Sequence, residues 1–434
     1  MITKQEYIER RNELARRLSP NSVALIPAAT DVLRNGDAHY RFRQASDFYY
    51  LTGFNEPDAL LVVNAGDDGT CILFNRPRNP LDEQWTGKRL GQDDAPNELG
   101  IDVAYSLDTL EVQLPLLLRD KLAIYYPIEH ETWGKRIMQA WHVVKAEVRR
   151  GVKAAESFCD LAPVLSEMRL FKSDGEIAIM RKAAHITVAA HKRAMQACSR
   201  VQSEYQLEAE VLYELNRLGC RNVAYDSIVA GGDNACVLHY TDNNQALHDG
   251  ELVLIDAGGE FESYAADVTR VFPVNGQFGV EQKLIYDLVL RSQRAGIACV
   301  RPGSKWDDIQ RAIVKTLTAG LVELELLHGD VDSLIASEAY KPFYMHSSGH
   351  WLGLDVHDCG RYKIDGVWRS LEPGMVLTVE PGLYIQAGMD GVDQRWWGIG
   401  VRIEDDILVT VDGHENLTAD LMVEISDIEA YMRG

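Results

Sequence analysis

Short apolar runs punctuate the first 150 residues. VALIP, DFYYLTGF, DALLVV, TCILFN and LAIYYP are rich in β-branched and aromatic residues and bounded by polar or turn-forming ones, the pattern that predicts strands. Between the last two, SLDTLEVQLPLLL reads as helical despite Pro115. A helix is expected at the start: Thr3 and Glu6 have the S/T-x-x-E spacing of a capping box, Tyr7, Ile8, Leu14 and Leu18 supply an apolar face, and Pro20 stops it. Another helical stretch covers 131–150. Strands alternating with helices predict an α/β domain with a mixed sheet over residues 1–168. No glycine-rich phosphate loop follows any of these strands, so a nucleotide role has little support.

The pattern changes between Gly151 and Ser173, where a second domain, 169–434, is expected to begin. Ser173 with Glu176 forms a capping box opening a long helix through Ala183, His185 and His191 to Cys198. Ser203 with Gln206 opens a second helix, which closes at Gly219. Strands follow. The same order then recurs: a helix over 282–298, another opening at Ser304 after Pro302-Gly303, and strands again. Two helices followed by strands, occurring twice, suggest an internal duplication without visible sequence identity.

Both sets of strands carry acids. In LVLIDAGGEFESYAADVTRVFPV, residues 252–274, Asp256 and Asp267 interrupt strand-like runs, and Gly258, Gly259 and the polar residues after them offer a turn. A turn centred between Phe261 and Glu262 sets Asp256 directly opposite Asp267 on one face. Facing carboxylates in a buried sheet repel and lose hydration, so a cation is expected between them; a pair made by one of them with Arg270 is the simpler alternative. In the later strands, period-two alternation groups Val376, Thr378 and Glu380 on one face and Arg402, Glu404 and Asp406 on another. Pro381 and Gly382 end the strand of Glu380.

Composition narrows the function classes. Hydrophobic residues make up 46% and charged residues 25%, enough for large buried cores. The formal charge of −21 argues against a nucleic-acid surface and in favour of solubility. Seven scattered cysteines without a C-x-x-C pair fit a reducing compartment. With a charged start and no apolar run long enough to span a bilayer, a cytoplasmic protein is expected.

Between the acid pairs lies YMHSSGHWLGLDVHD. One histidine on an apolar segment is ordinary; His346, His350 and His357, three within twelve residues and threaded with Gly349 and Gly353, are not. With LHY at 238–240, DAGGEFESYAADVTR, LTVEPGLYI, GIGVRIEDD and RQASDFYYLTGF, these fragments make the chain resemble the aminopeptidase P family of Xaa-Pro aminopeptidases along nearly its whole length. That family shares the pita-bread fold with methionine aminopeptidase and prolidase. The resemblance implies a creatinase-like α/β amino-terminal domain followed by an α+β pita-bread catalytic domain.

It further implies that Asp256, Asp267, His350, Glu380 and Glu404 hold two divalent metal ions per chain, manganese in this family, with Asp267 and Glu404 bridging. Four carboxylates and an imidazole supply about four negative charges, which suits two hard divalent cations. The reaction implied is release of the amino-terminal residue from Xaa-Pro-Yaa peptides through a metal-bridging hydroxide, with no serine or cysteine nucleophile. Glu380 is the candidate base, His239 or His357 the oxyanion partner, and His346 with Tyr384 the apolar and imidazole surface for the proline ring. Arg402 is placed to steady the ligands, and Trp85 resembles a position that in relatives approaches a neighbouring subunit's site, implying a dimer or tetramer. Ser347, Ser348 and Gly349 read as ordinary loop variation. Prolidase, and a non-catalytic binding module of the same fold, are the alternatives.

Overall fold

The segment SVALIP is buried at every position, so it must lie inside a sheet covered on both faces. The computed structural model describes residues 2–66 and 69–434, which form two compact units, Ile2–Arg169 and Leu170–Gly434. In the first unit Ser22–Pro27 is a central strand, antiparallel to Leu60–Asn64 and parallel to Ala123–Tyr126. Cys71–Asn75 and Val103–Ser106 extend the sheet on one side and Ser157–Asp160 on the other, giving six strands of mixed direction. The last two were not evident in the sequence, because as edge strands they are only partly buried and lack a continuous apolar run.

DFYYLTGF is not a strand. Ser46–Thr52 is a helix that ends at Gly53 in the left-handed conformation. Phe48, Leu51 and Thr52 are buried at i, i+3 and i+4 on one helix face, and Tyr50, at i+2, is buried as well with its hydroxyl donating to Met168 O. Pro115 does lie inside a helix, Leu110–Leu118, as expected.

In the second unit Ser173 and Glu176 make both bonds of the capping box that opens Asp174–Ala197. At the next helix, Glu204–Leu218, the expected box does not form. Ser203 makes no capping bond there, and the Gln206 side chain accepts from Gln202 N instead. These helices, with Val280–Ile297 and Trp306–Glu323, pack on the strands around one hydrophobic core.

Leu252–Asp256 runs through that core, antiparallel to Ile228–Gly231 and to Thr269–Pro273. Its register corrects the expectation: Asp256 stands opposite Thr269, not Asp267. The reason is the turn. Glu262 and Ser263, with φ of 48° and 67°, form its corner, so Phe261 pairs with Tyr264 and the turn lies one residue later than expected. Because the partner moves by two residues, Asp267 stays on the same face, diagonal to Asp256. Gly258 and Gly259 do not turn the chain; they allow close packing. A Cβ on Gly258 would lie 1.7 Å from the Ala266 carbonyl oxygen, and one on Gly259 2.8 Å from Cys220 Sγ. Since backbone cannot yield as a side chain can, Gly258→Ala is expected to cost about 3 kcal/mol, read as a lowered denaturant midpoint with unchanged slope.

Val376–Val379 pairs with Asp405–Val409, while Gly382–Ile385 pairs with Ile399–Arg402 in a separate two-stranded ribbon. Pro381 therefore marks a change of partner. Gly382, expected to end the strand of Glu380, instead begins the next one. No helix among the described residues is long and apolar enough to cross a membrane.

Candidate metal centre

The acids sit at strand ends, where side chains are freed from ladder neighbours and can converge. Asp256 is the last residue of its strand, Asp267 precedes Thr269–Pro273, Glu380 follows Val376–Val379, and Glu404 occupies the gap between Ile399–Arg402 and Asp405–Val409. Backbone bonds stitch these ends together. Glu404 N donates to Thr269 O at 3.2 Å, Glu380 N to Ser348 O at 2.9 Å and Thr378 N to His350 O at 2.9 Å. The Ser347–Gly349 stretch is thus not a freely varying loop: a Cβ on Gly349 would lie 2.0 Å from Thr378 O.

All five expected ligands, with His239, His346, His357 and Arg402, line one cavity of ≈ 750 Å³. Ligand atoms of Asp267, His350 and Glu404 lie within 4.8 Å of one another. The orientation of His350 is informative. Its Nδ1 lies 3.0 Å from the Trp351 carbonyl oxygen, which can only accept, so Nδ1 carries the proton. Nε2 then faces the acids, 3.3 Å from Asp267 Oδ2 and 3.7 Å from Glu380 Oε1.

Charge in the cavity is poorly balanced. Burial pushes the Asp256 carboxyl up, against the opposing pull of Arg402. Burial also drives Glu404 well above the carboxylate range, reinforced by Asp267, Glu380 and Asp256, and raises Glu380 to about 7. At Asp267 burial is outweighed by the hydrogen bond and charge of His350, and its carboxyl falls below the usual range. His350 itself, though burial opposes it, is raised to about 9 by Asp267 and Glu380. Arg402 and His350 face the four expected ligand carboxylates in this cavity, and Asp226 adds a fifth acid to its lining.

The remaining histidines differ among themselves. His346 sets Nδ1 2.8 Å from Ser347 O and Nε2 2.8 Å from the Tyr384 hydroxyl; burial and the Arg402 charge lower it to about 4, so it is neutral. The His357 ring stands 4.3 Å from that of His350, centroid to centroid, and burial with the His350 charge lowers it too. His239 is exposed on the segment that brings Leu238 and Thr241 to the cavity wall.

Family comparison decides between a metal-dependent hydrolase site and a chance gathering of acids. The model of metallopeptidase family M24 matches residues 178–411, and that of the aminopeptidase P amino-terminal domain matches residues 7–125. The chain belongs to metallopeptidase family M24. It is 47% identical to the Xaa-Pro aminopeptidase of Escherichia coli over 434 residues, 99% of this chain and 98% of that protein. Aminopeptidase PepP of Pseudomonas aeruginosa superposes with a TM-score of 0.97 at 46% identity, covering 100% of this chain and 98% of the other. Zinc-substituted Escherichia coli aminopeptidase P in complex with product gives the same TM-score, identity and coverage. The α/β amino-terminal domain and the pita-bread catalytic domain expected from the sequence are the fold of these neighbours.

This M24 metallopeptidase therefore acts with divalent metal ions, and its donor set fits them: hard carboxylate oxygens, one imidazole whose outer nitrogen is fixed by a carbonyl, and unbalanced negative charge. Arg402 is more intimate with the set than expected. Its Nη2 pairs with Asp256 Oδ2 at 2.6 Å, Nη1 donates to the Tyr384 hydroxyl at 3.0 Å and Nε to Thr269 Oγ1 at 3.2 Å. Tyr384 is buried behind His346 rather than on the cavity wall, and Trp85 lies in the other unit on Pro80–Thr86, 89% exposed.

Several partners escaped the sequence reading. The Tyr225 hydroxyl is 2.6 Å from Asp256 Oδ1 and 2.5 Å from Asp267 Oδ1. A phenol has one proton to give, so the second carboxylate needs either a proton of its own or a cation beside it. Thr269 Oγ1 donates to Glu404 Oε2 at 2.6 Å, and the Asp406 carboxylate accepts from Asp267 N at 3.2 Å. Trp306, Tyr362 and Trp368 supply an aromatic part of the wall. Thr269 was missed because the expected register set Asp267 in its place opposite Asp256; Tyr225 lies outside every acid- or histidine-bearing motif and had no such signal.

Proposed function

We propose that this metallopeptidase releases the amino-terminal residue from peptides with proline in second position, Xaa-Pro-Yaa. The observation carrying this reading is the convergence of Asp256, Asp267, His350, Glu380 and Glu404 on a cavity that also holds His239, His346 and His357. In this proposal Asp256, Asp267, His350, Glu380 and Glu404 would hold two divalent ions, natively manganese, with Asp267 and Glu404 as the ligands the two ions would share. When bound, such a pair makes water acidic enough to attack a peptide carbonyl at neutral pH.

The chain's own groups do the rest. Glu380, in the cavity beside the other proposed ligands, accepts a proton from the attacking water and passes it to the leaving nitrogen. His357 or His239 donates to the oxygen that gains charge. Acidic groups at the site attract the substrate ammonium and so register the first peptide carbonyl. His346, held neutral against Tyr384, gives the proline ring an uncharged surface. Trp85, exposed as it is, is available to a neighbouring subunit in a homodimer or tetramer. The seven free cysteines support a cytoplasmic location.

Chelation is expected to abolish activity, and Mn(II) to restore it most fully. Under matched metal conditions, Ala-Pro-Ala should be cleaved much faster than Ala-Ala-Ala, because alanine leaves the ring surface partly uncovered. Cleavage confined to Ala-Pro would identify a dipeptidase of the prolidase type. Preference for Ala-Ala-Ala would overturn the proline reading, and no cleavage with any divalent metal would favour a binding module.

A further inference from the structure

Glu204 is a carboxylate with no access to solvent, far along the chain from any ligand, and it collects four hydrogen bonds. Oε1 accepts from Gly231 N at 2.8 Å and Asn234 Nδ2 at 2.9 Å; Oε2 accepts from the Tyr240 hydroxyl at 2.8 Å and Gln245 N at 2.8 Å. An ionised carboxylate offers about four lone-pair sites, and each is used here. All four donors belong to residues 231–245, the segment that leaves the strand Ile228–Gly231 and presents Leu238, His239 and Thr241 to the cavity. That segment has little regular structure of its own beyond the short 3-10 turn Gly232–Cys236. Its far end is tied to the same helix start, with Glu204 N donating to Gln245 O at 3.0 Å and Leu247 N to Gln202 O at 3.0 Å.

We propose that Glu204 is a positioning residue for catalysis: it fixes the 231–245 segment from inside and thereby holds His239 at the cavity. This rests on the reading of His239 as a group that assists the reaction. A purely structural carboxylate at a helix start needs one or two donors from its own first turn. Glu204 takes none from its own helix. It bonds instead to both ends of one excursion and to the residue after His239, so its loss loosens that excursion before anything else.

Glu204→Gln keeps the shape and changes the chemistry. Whichever way the amide is turned, its NH2 faces a pair of donors. Asn234 can rotate its amide and Tyr240 its hydroxyl to accept, but a backbone N–H, of Gly231 or Gln245, is left without an acceptor. The experiment is a cycle of Glu204→Gln, His239→Ala and the double variant, with kcat, KM and metal content measured, and amide hydrogen exchange over 231–245 followed alongside. Expected are a fall in kcat of roughly 10-fold or more in Glu204→Gln with KM and metal content near normal, faster exchange in 231–245 but not in Leu252–Asp256, and almost no further loss when Glu204→Gln is added to His239→Ala. Full additivity of the two losses, or unchanged exchange in 231–245, overturns the proposal. If His239→Ala alone leaves kcat unchanged, the reading of His239 fails, and a kcat loss in Glu204→Gln then counts against positioning through that residue. Tyr240→Phe, which removes one donor and keeps the ring, carries the same cycle should Glu204→Gln fold poorly; a smaller kcat loss that again vanishes beside His239→Ala supports the proposal, and an additive one overturns it.

Discussion

Asp267→Ala and Glu404→Ala are each expected to lower kcat/KM by at least about 10³-fold and to remove at least one metal ion per chain. The magnitude follows from Lewis-acid stabilisation worth several kcal/mol, at about 1.4 kcal/mol per tenfold in rate. These two acids stand apart from the others for geometric reasons. They come from opposite halves of the repeated helix–helix–strand order, their ligand atoms lie within 4.8 Å of each other and of His350, and each backbone is tied to a neighbour of the other: Glu404 N to Thr269 O at 3.2 Å, and Asp267 N to the Asp406 carboxylate at 3.2 Å. Removing either side chain therefore withdraws a donor from the middle of the cluster rather than its edge. Asp406→Asn is a useful companion, since it keeps the bond to Asp267 N through its amide oxygen while halving the local acid pair. Elemental analysis of the purified variants checks the metal count and a peptide assay the rate. Full activity with a full metal complement in Asp267→Ala or Glu404→Ala would falsify the bridging assignment.

Much of this centre was legible because its ligands break patterns that the rest of the sequence keeps. An aspartate ending the buried run LVLI, a glutamate stopped by Pro381, and histidines crowded into an apolar stretch are each costly without a partner. Where the reading failed, a local signal was overridden by packing. Gly258 and Gly259 looked like a turn, yet they are small because Ala266 O and Cys220 Sγ press against them, and the turn falls on Glu262 and Ser263, which carry no Asn-Gly signature. That mistake displaced the register by two residues and kept the correct face, so the site survived it. DFYYLT has β-forming residues on a helix because burial of Phe48 and Leu51 on one face outweighs their local preference. Ser203 met the capping rule in spelling only: its hydroxyl makes no capping bond, and the Gln206 side chain accepts from Gln202 N instead. Tyr225 and Glu204 could not be found by periodicity or spacing. Each acts through tertiary contacts with residues between 27 and 42 positions away, and neither its type nor its neighbours mark it.

His357→Ala and His239→Ala are each expected to lower kcat by about 10²-fold while leaving metal content near normal, the loss typical of one positioned proton-transfer or oxyanion group. The structure separates them from His350 on clear grounds. His350 has one nitrogen fixed by Trp351 O and the other turned 3.3 Å from Asp267, whereas His357 meets the acids only across the face of the His350 ring, and His239 stands exposed at the cavity wall. An imidazole so placed can reach a substrate oxygen without displacing a ligand. Burial, the largest cause, holds His357 below the ordinary histidine range, so near pH 7 it is a neutral N–H donor. The check pairs steady-state kinetics on Ala-Pro-Ala with elemental analysis of the same preparations. Loss of metal in step with activity would move the histidine into the ligand shell, and unchanged kcat with raised KM would make it a substrate-binding group; only a fall in kcat at constant metal fits a role in the chemical step.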